Sequence, residues 1–218
     1  MPIAKKYKLL LLTLLFISAS HFYAQSQVQF RFHHITTNDG LSQGLVNCVI
    51  QDDRGFMWFG TQDGLNRYDG NGITVIKNNP VDSNSIASNN INCLFEDKEK
   101  ILWIGTDAGL SALNLYTGKL TNYYSINSQH PENSNIHTVY QDKQGTIWVG
   151  TEFNSLCKFD RQSKKFKTYA LSIKDTGSLA FDYVSSVTED DAGTMWLGSY
   201  GGGLYSFDRN LKKKTTLP

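Results

Sequence analysis

The sequence predicts an all-β chain: a β-propeller of about four four-stranded blades, forming an incomplete part of a larger propeller array. Three observations predict it. Tryptophan recurs at Trp58, Trp103, Trp148 and Trp196, spaced 45, 45 and 48 residues apart, a period in the range of propellers and other repeat arrays. Each tryptophan has the same neighbours: an aspartate six residues before it (Asp52, Asp97, Asp142, Asp190) and a glycine two after it (Gly60, Gly105, Gly150, Gly198), then Thr61, Thr106, Thr151 or Ser199. Finally, no segment past residue 24 has the apolar period of an amphipathic helix, whereas each repeat holds four short runs of strand character. A β-sandwich, the main competitor, would not require near-identical units.

Residues 1–24 read as a secretory signal peptide. Lys5, Lys6 and Lys8 precede an apolar run over residues 9–17, and small residues follow at Ser18, Ala19, Ser20 and Ala24. The run is too short to span a bilayer comfortably. The expected product is exported across the inner membrane to the periplasm, with residues 25–218 forming the propeller repeats. Residues 28–36, VQFRFHHIT, alternate apolar and polar as a strand would.

Within each repeat the first strand, A, covers residues 45–50, 91–95, 136–140 and 183–187 and ends at the repeated aspartate. A tight turn follows, in which Gly55, Gly145 and Gly193 supply positive φ. The second copy has Lys100 there, so its turn should be the least regular. Strand B carries the tryptophan: FMWFGT, ILWIGT, TIWVGT and TMWLGS. Apolar side chains on both faces mean burial on both sides, as when small sheets stack around an axis. The glycine two after the tryptophan shares its face and admits a close neighbour. Strand C holds Leu65, Leu110, Leu156 and Leu204. Strand D is more polar, as suits an outer strand. Copy four has only ten residues after Asp208, so its strand D looks barely begun. Residues 28–36 would then either complete blade four and close a small ring or pair with a blade outside this sequence. The second account is favoured.

Composition narrows the function. Setting Lys5, Lys6 and Lys8 aside leaves 18 basic against 20 acidic residues, without the clustered basic face that nucleic acid requires. Cys48 and Cys93 each stand ten residues before a tryptophan, where later copies have Thr138 and Ser186. A small packing residue explains them better than a disulfide. The repeated aspartates suit turn capping rather than catalysis. His33, His34, His130 and His137 lack metal-pair spacing. No catalytic or metal-ligating set and no cofactor are expected.

The A–B turns are monotonous, whereas the B–C turns, which share an edge with the D–A loops, differ from copy to copy. Variable loops over a rigid scaffold are the usual place for recognition. Gln62, Asp63, Asp107, Glu152, Phe153 and Tyr200 are therefore the expected ligand-binding residues, aromatic rings beside carboxylates being suited to sugars. Asp52, Trp58, Gly60 and their equivalents in the other three copies are expected to be structural.

Read through Gly40-Leu41, Gln51-Asp52, Gly55, Trp58, Gly60-Thr61, Gly64-Leu65 and Tyr68-Asp69-Gly70, the motif resembles the two-component regulator propeller repeat. That resemblance implies the exported sensory region of a hybrid two-component sensor histidine kinase, with oligosaccharides frequent among the ligands. It further implies, as partners, a small-molecule or oligosaccharide ligand and the remaining blades and kinase domains of a full-length protein; a homodimer is a further alternative, since the sequence does not decide the oligomeric state. A stand-alone interaction scaffold and a sialidase- or lyase-type propeller enzyme are the alternatives. Against the sialidase reading, Lys98 and Lys143 break its turn motif in copies two and three.

Overall fold

The computed structural model describes residues 30–124, 134–152, 155–170, 183–201, 203–208 and 213–217. Over residues 35–218 it contains four antiparallel four-stranded sheets in meander order. Blade one is β1 (Val46–Gln51), β2 (Met57–Thr61), β3 (Gly64–Tyr68) and β4 (Ile73–Ile76). Blade two is β5 (Ile91–Glu96), β6 (Ile101–Thr106), β7 (Leu110–Asn114) and β8 (Leu120–Tyr123). Blade three is β9 (Ile136–Gln141), β10 (Ile147–Thr151), β11 (Ser155–Asp160) and β12 (Lys165–Ala170). Blade four is β13 (Tyr183–Glu189), β14 (Met195–Tyr200), β15 (Gly203–Phe207) and β16 (Lys213–Leu217). The strands β1, β5, β9 and β13 pack in succession and form the inner wall of an arc that does not close into a ring.

One aspartate organises each blade. Asp52 Oδ1 accepts from the amides of Arg54 (3.0 Å) and Phe56 (2.9 Å), holding the A–B turn, while Oδ2 accepts from Trp58 Nε1 at 2.9 Å. The indole bond recurs from Trp103 to Asp97, Trp148 to Asp142 and Trp196 to Asp190, at 2.8, 3.0 and 2.9 Å. The second turn is as regular as the others, against expectation. Lys100 takes φ 64°, close to Gly55 at 88°, and its amide bonds Asp97 O at 3.0 Å as Gly55 bonds Asp52 O. Ion pairs from Lys100 Nζ to Asp53 (2.8 Å) and Glu96 (3.1 Å) hold it in that conformation.

Each core cluster lies between two blades. Trp58 and Leu65 of blade one meet Ile91, Leu102, Ile104 and Leu113 of blade two. Trp103 and Leu110 meet the equivalent Ile136, Ile147, Val149 and Phe159 of blade three. Trp148 and Leu156 meet Val184, Met195, Leu197 and Phe207 of blade four. The glycine after each tryptophan makes this approach possible: a Cβ on Gly60 would stand 2.5 Å from Cys48 Sγ and 2.6 Å from Ile91 Cγ2. Cys48 and Cys93 fill the small-residue positions opposite Gly60 and Gly105 in the strand register. A polar bond repeats at the inner edge, where the amide after each aspartate donates to the last side chain of the next blade's inner strand. The pairs are Asp53 to Glu96 (3.1 Å), Lys98 to Gln141 (2.9 Å) and Lys143 to Glu189 (2.7 Å).

Two strand expectations fail. Blade four has its own outer strand, β16, paired with β15, because even the polar run KKTTL can complete a meander whose edge needs only backbone partners. Residues 30–36 form no strand, and Phe30 and Phe32 are 78% and 84% exposed. Alternation alone does not make a strand where no neighbouring edge supplies hydrogen bonds. Residues 28 and 29, and the expected leader at 1–24, lie outside the described residues.

Candidate ligand site at the mouth of the inner wall

On the edge where the B–C turns emerge, a depression of about 390 Å³ opens over the inner strands, lined by Asn47, Gln62, Asn90, Asn92, His137, Tyr183 and Ser185. Asn47, Asn92, His137 and Ser185 occupy the same position in the four inner strands, eleven residues before each tryptophan. In all four blades the strand register shifts at that position, a β-bulge that takes the side chain out of the regular alternation.

The rim is stiffened by bonds between blades and within them. Asn47 Nδ2 donates to Ile91 O at 2.8 Å, and Asn92 Nδ2 to Ile136 O and to Asn135 Oδ1 at 3.0 and 2.8 Å. Asn135 Nδ2 donates to Glu152 Oε1 at 2.7 Å, and Asn90 Nδ2 to Asp107 Oδ2 at 3.2 Å. Three rings form a continuous stack: His137 lies on Tyr183 with centroids 3.9 Å apart, and Tyr183 lies on Tyr200 at 5.1 Å with planes 5° apart. Tyr200 is 65% exposed and forms the outer end of the stack.

Two polar atoms at this mouth have no hydrogen-bond partner, Asn90 Oδ1 and His137 Nε2. His137 Nε2 stands 3.6 Å from Glu152 Oε1, too far for a hydrogen bond. Burial holds the imidazole pKa below its ordinary value of 6.5, and the Glu152 carboxylate partly opposes that shift. The mouth thus presents amide donors, an open carbonyl acceptor, a carboxylate and a flat aromatic surface. Among the described residues no arginine lines it. Among the described residues no group of three or more His, Cys, Asp or Glu side chains is arranged to hold a metal.

The expected ligand residues are thus partly brought together. Gln62 lines the depression, Asp107 accepts from its Asn90, Glu152 accepts from Asn135, which itself accepts from Asn92, and Tyr200 ends the stack. Asp63 is instead paired with Lys77 Nζ at 2.7 Å, and Phe153 lies outside the described residues. Sequence reading missed Asn47, Asn92, His137, Tyr183 and Ser185. Their common register relative to the tryptophans was the available signal, since four copies of one axial position converge wherever the blades share an axis.

Comparison with known proteins gives these blades their kinship. The profile of the two-component regulator propeller matches four times, over residues 40–63, 85–108, 130–153 and 178–201. The four blades belong to the two-component regulator propeller family. These propeller repeats are similar to the extracellular domain described as that of a hybrid two-component system, BT3049, from B. thetaiotaomicron. The TM-score is 0.71 and identity 25%, covering 85% of this chain and 26% of that one. The fold is shared with the extracellular domain of BT4673 from the same organism, at TM-score 0.51 and 23% identity, over 79% of this chain and 28% of that one. It is also shared with PorZ, a surface component of the type-IX secretion system of Porphyromonas gingivalis, at TM-score 0.56 and 12% identity, over 80% and 27%. A 58-residue stretch, 27% of the chain, is 48% identical to Histidine kinase P4 of Formosa agariphila, of which it spans 4%. The propeller thus spans about a quarter of the solved structures it resembles. No helix among the described residues is long and apolar enough to cross a membrane.

Proposed function

We propose that this chain is the exported, periplasmic ligand-sensing propeller segment of a two-component regulatory system, binding a small polar molecule of oligosaccharide type and catalysing nothing itself. The observation that carries the reading is the fourfold repeat match together with the likeness to the BT3049 extracellular domain over 85% of the chain. The mouth supports it. Sugars present flat C–H faces to aromatic rings and hydroxyls to amides and carboxylates, and Tyr183–Tyr200 beside Asn90, Asn92 and Glu152 offers both kinds of contact. Binding there touches residues from blades one to four, so a ligand favouring one arrangement of the blades would bias it, which is all that signalling needs from a sensor segment. Histidine kinase activity would belong to other domains of a full-length protein.

The test is a screen of the purified chain against an oligosaccharide library, with hits measured by calorimetry. A saccharide should bind to the wild type, and Tyr200→Ala and Glu152→Gln should each weaken it at least tenfold with the melting temperature nearly unchanged. Equal binding by both variants would remove the mouth from the site, and no saccharide hit would remove the ligand class.

A further inference from the structure

The cleft between blades two and three differs from the clefts on either side of it. In the strand register the side chain opposite each tryptophan, on the next strand outward, shares its face of the sheet. It is Arg67 opposite Trp58, Ala112 opposite Trp103 and Lys158 opposite Trp148. Blades one and three therefore lay a cation of their own over the indole. The Arg67 guanidinium stands 6.0 Å from the Trp58 ring and 5.0 Å from Phe56, and Lys158 Nζ stands 5.7 Å from Trp148. Ala112 ends at its Cβ. The space beyond it is a cavity of about 280 Å³ bordered by the C–D turns of blades two and three.

Wall and rim of this cavity differ in chemistry. The wall is aromatic: Trp103 and Phe159 meet edge-on at 5.3 Å, and Tyr123 stacks on Trp103 at 6.1 Å and meets Phe159 at 5.4 Å. The rim is cationic, with Lys119, Arg161 and Lys164 and, among the described residues, no carboxylate. Arg161 is offset by Asp97 and Glu99, at 3.0 and 2.7 Å. The ammonium groups of Lys119 and Lys164 have no ion-pair partner among the described residues. The Tyr123 hydroxyl stays protonated, because burial pushes its pKa up against the charge of nearby Arg161. It is a further donor at the same place.

Lys164 is held at the rim at a conformational cost. The two C–D turns are built alike: Asn114 Oδ1 accepts from the amides of Tyr116 and Thr117, at 3.0 and 2.9 Å, and Asp160 Oδ1 from those of Gln162 and Ser163, at 2.8 and 3.0 Å. The left-handed residue that follows is Gly118 in blade two, at φ 70°, and Lys164 in blade three, at φ 53°. Glycine takes that conformation freely and lysine does not. Lys100, the other left-handed lysine, is kept there by its two ion pairs. Lys164 has no such support, and strain of this kind concentrates at ligand-binding positions.

We propose that this cavity binds a small aromatic carboxylate, with its ring against Tyr123 and Phe159 and its carboxylate at the ammonium groups of Lys119 and Lys164. The volume lies just under the ~300–1,000 Å³ of drug-sized ligand sites, which suits a single ring on a short acid chain. A neutral aromatic would leave the rim cations without a counter-charge, and a cationic one would be repelled by them. The site lies on the edge opposite the mouth and does not depend on what binds there.

The test is calorimetry of the full chain with benzoate, phenylacetate and 3-phenylpropionate, and with 3-phenylpropionamide as the uncharged control. At least one acid should bind at one site per chain, and the amide at least tenfold more weakly than 3-phenylpropionate. Position 112 has long-chain equivalents in Arg67 and Lys158, so Ala112→Met should fill the cavity without unfolding the chain and weaken acid binding at least tenfold. Lys164→Gly installs the residue used by the equivalent turn of blade two. It should weaken acid binding several-fold with the melting temperature equal or higher, a combination that a merely structural lysine would not give. No binding by any of the three acids would overturn the proposal, as would undiminished binding by Ala112→Met. Equal affinity for the amide would overturn the role of the cations and with it the carboxylate class. Should Ala112→Met fail to fold, Lys164→Gly at its exposed position decides, and unchanged binding by that variant would overturn the site.

Discussion

The indole Nε1 of Trp148 donates to Asp142 Oδ2 at 3.0 Å, across six residues and the whole A–B turn. One carboxylate thereby joins the turn, through the amides of Gln144 (3.0 Å) and Thr146 (2.8 Å), to the side chain that fills the gap between blades three and four. Replacing Asp142 by alanine leaves three donors without an acceptor, one of them on an indole only 1% exposed. A buried donor left unsatisfied costs about 1–3 kcal/mol, and the turn amides, being nearer water, cost less. We expect Asp142→Ala to lower unfolding stability by about 2–4 kcal/mol in urea titration. A change under about 0.5 kcal/mol, the range of ordinary surface substitutions, would mean that the carboxylate is not a structural link.

The tryptophans should differ according to whether a following blade covers them. Trp103 packs edge-on against Phe159 of blade three, with centroids 5.3 Å apart, and stacks on Tyr123 at 6.1 Å. Trp103→Ala should cost ~3–5 kcal/mol by precedent for buried aromatic side chains. Trp196 is partly exposed, and its alanine variant should cost about 1–2 kcal/mol less, since less apolar area is returned to water. Equal losses would mean that blade four has a covering partner even in the isolated chain.

Most of the fold was legible in the sequence because each blade repeats its own evidence. Asp, Trp and Gly at constant offsets located four turns, four inter-blade side chains and four close approaches, and apolar runs located the A and B strands of every blade. The missed strand, β16, is polar and lies at an edge, so it depends on backbone pairing that side-chain pattern does not report. The reverse error at residues 30–36 has the same root. The left-handed conformation of Lys100 was hidden because its support comes from Asp53, on the neighbouring blade, as well as from Glu96. At the mouth, variable turns pointed to Gln62, Glu152 and Tyr200. His137 and Tyr183 join them only through the packing of β9 against β13, a contact between strands almost fifty residues apart in the chain.

The three thiols should be chemically quiet. Burial pushes Cys48 and Cys157 up to about 11 and Cys93 higher still, so the reactive thiolate is scarce at neutral pH. In the native protein at pH 8 a chromogenic disulfide reagent should react slowly with all three, and slowest with Cys93. Denaturant should release three equivalents at once. Rapid labelling of Cys93 before unfolding would show that blades two and three separate readily, because its Sγ lies against Gly105 beside the contact with blade three.

The mouth should respond to mild acid through His137. Its pKa lies below 6.5 because burial disfavours the imidazolium, and Glu152 at 3.6 Å pulls the other way. A base whose folded pKa is depressed binds fewer protons folded than unfolded. Its stabilising contribution is therefore complete above 6.5 and is lost as pH falls from 6.5 through the folded value. Proton NMR of the imidazole should give a midpoint under 6.5, and Glu152→Gln should move it lower by removing the charge that favours protonation. The Tyr183 ring stacked at 3.9 Å should report the same midpoint. A wild-type midpoint above 6.5 would mean that Glu152 outweighs burial. A midpoint above neutrality would put an ion pair in the mouth at neutral pH, and a charged ligand would become the better candidate than a neutral sugar.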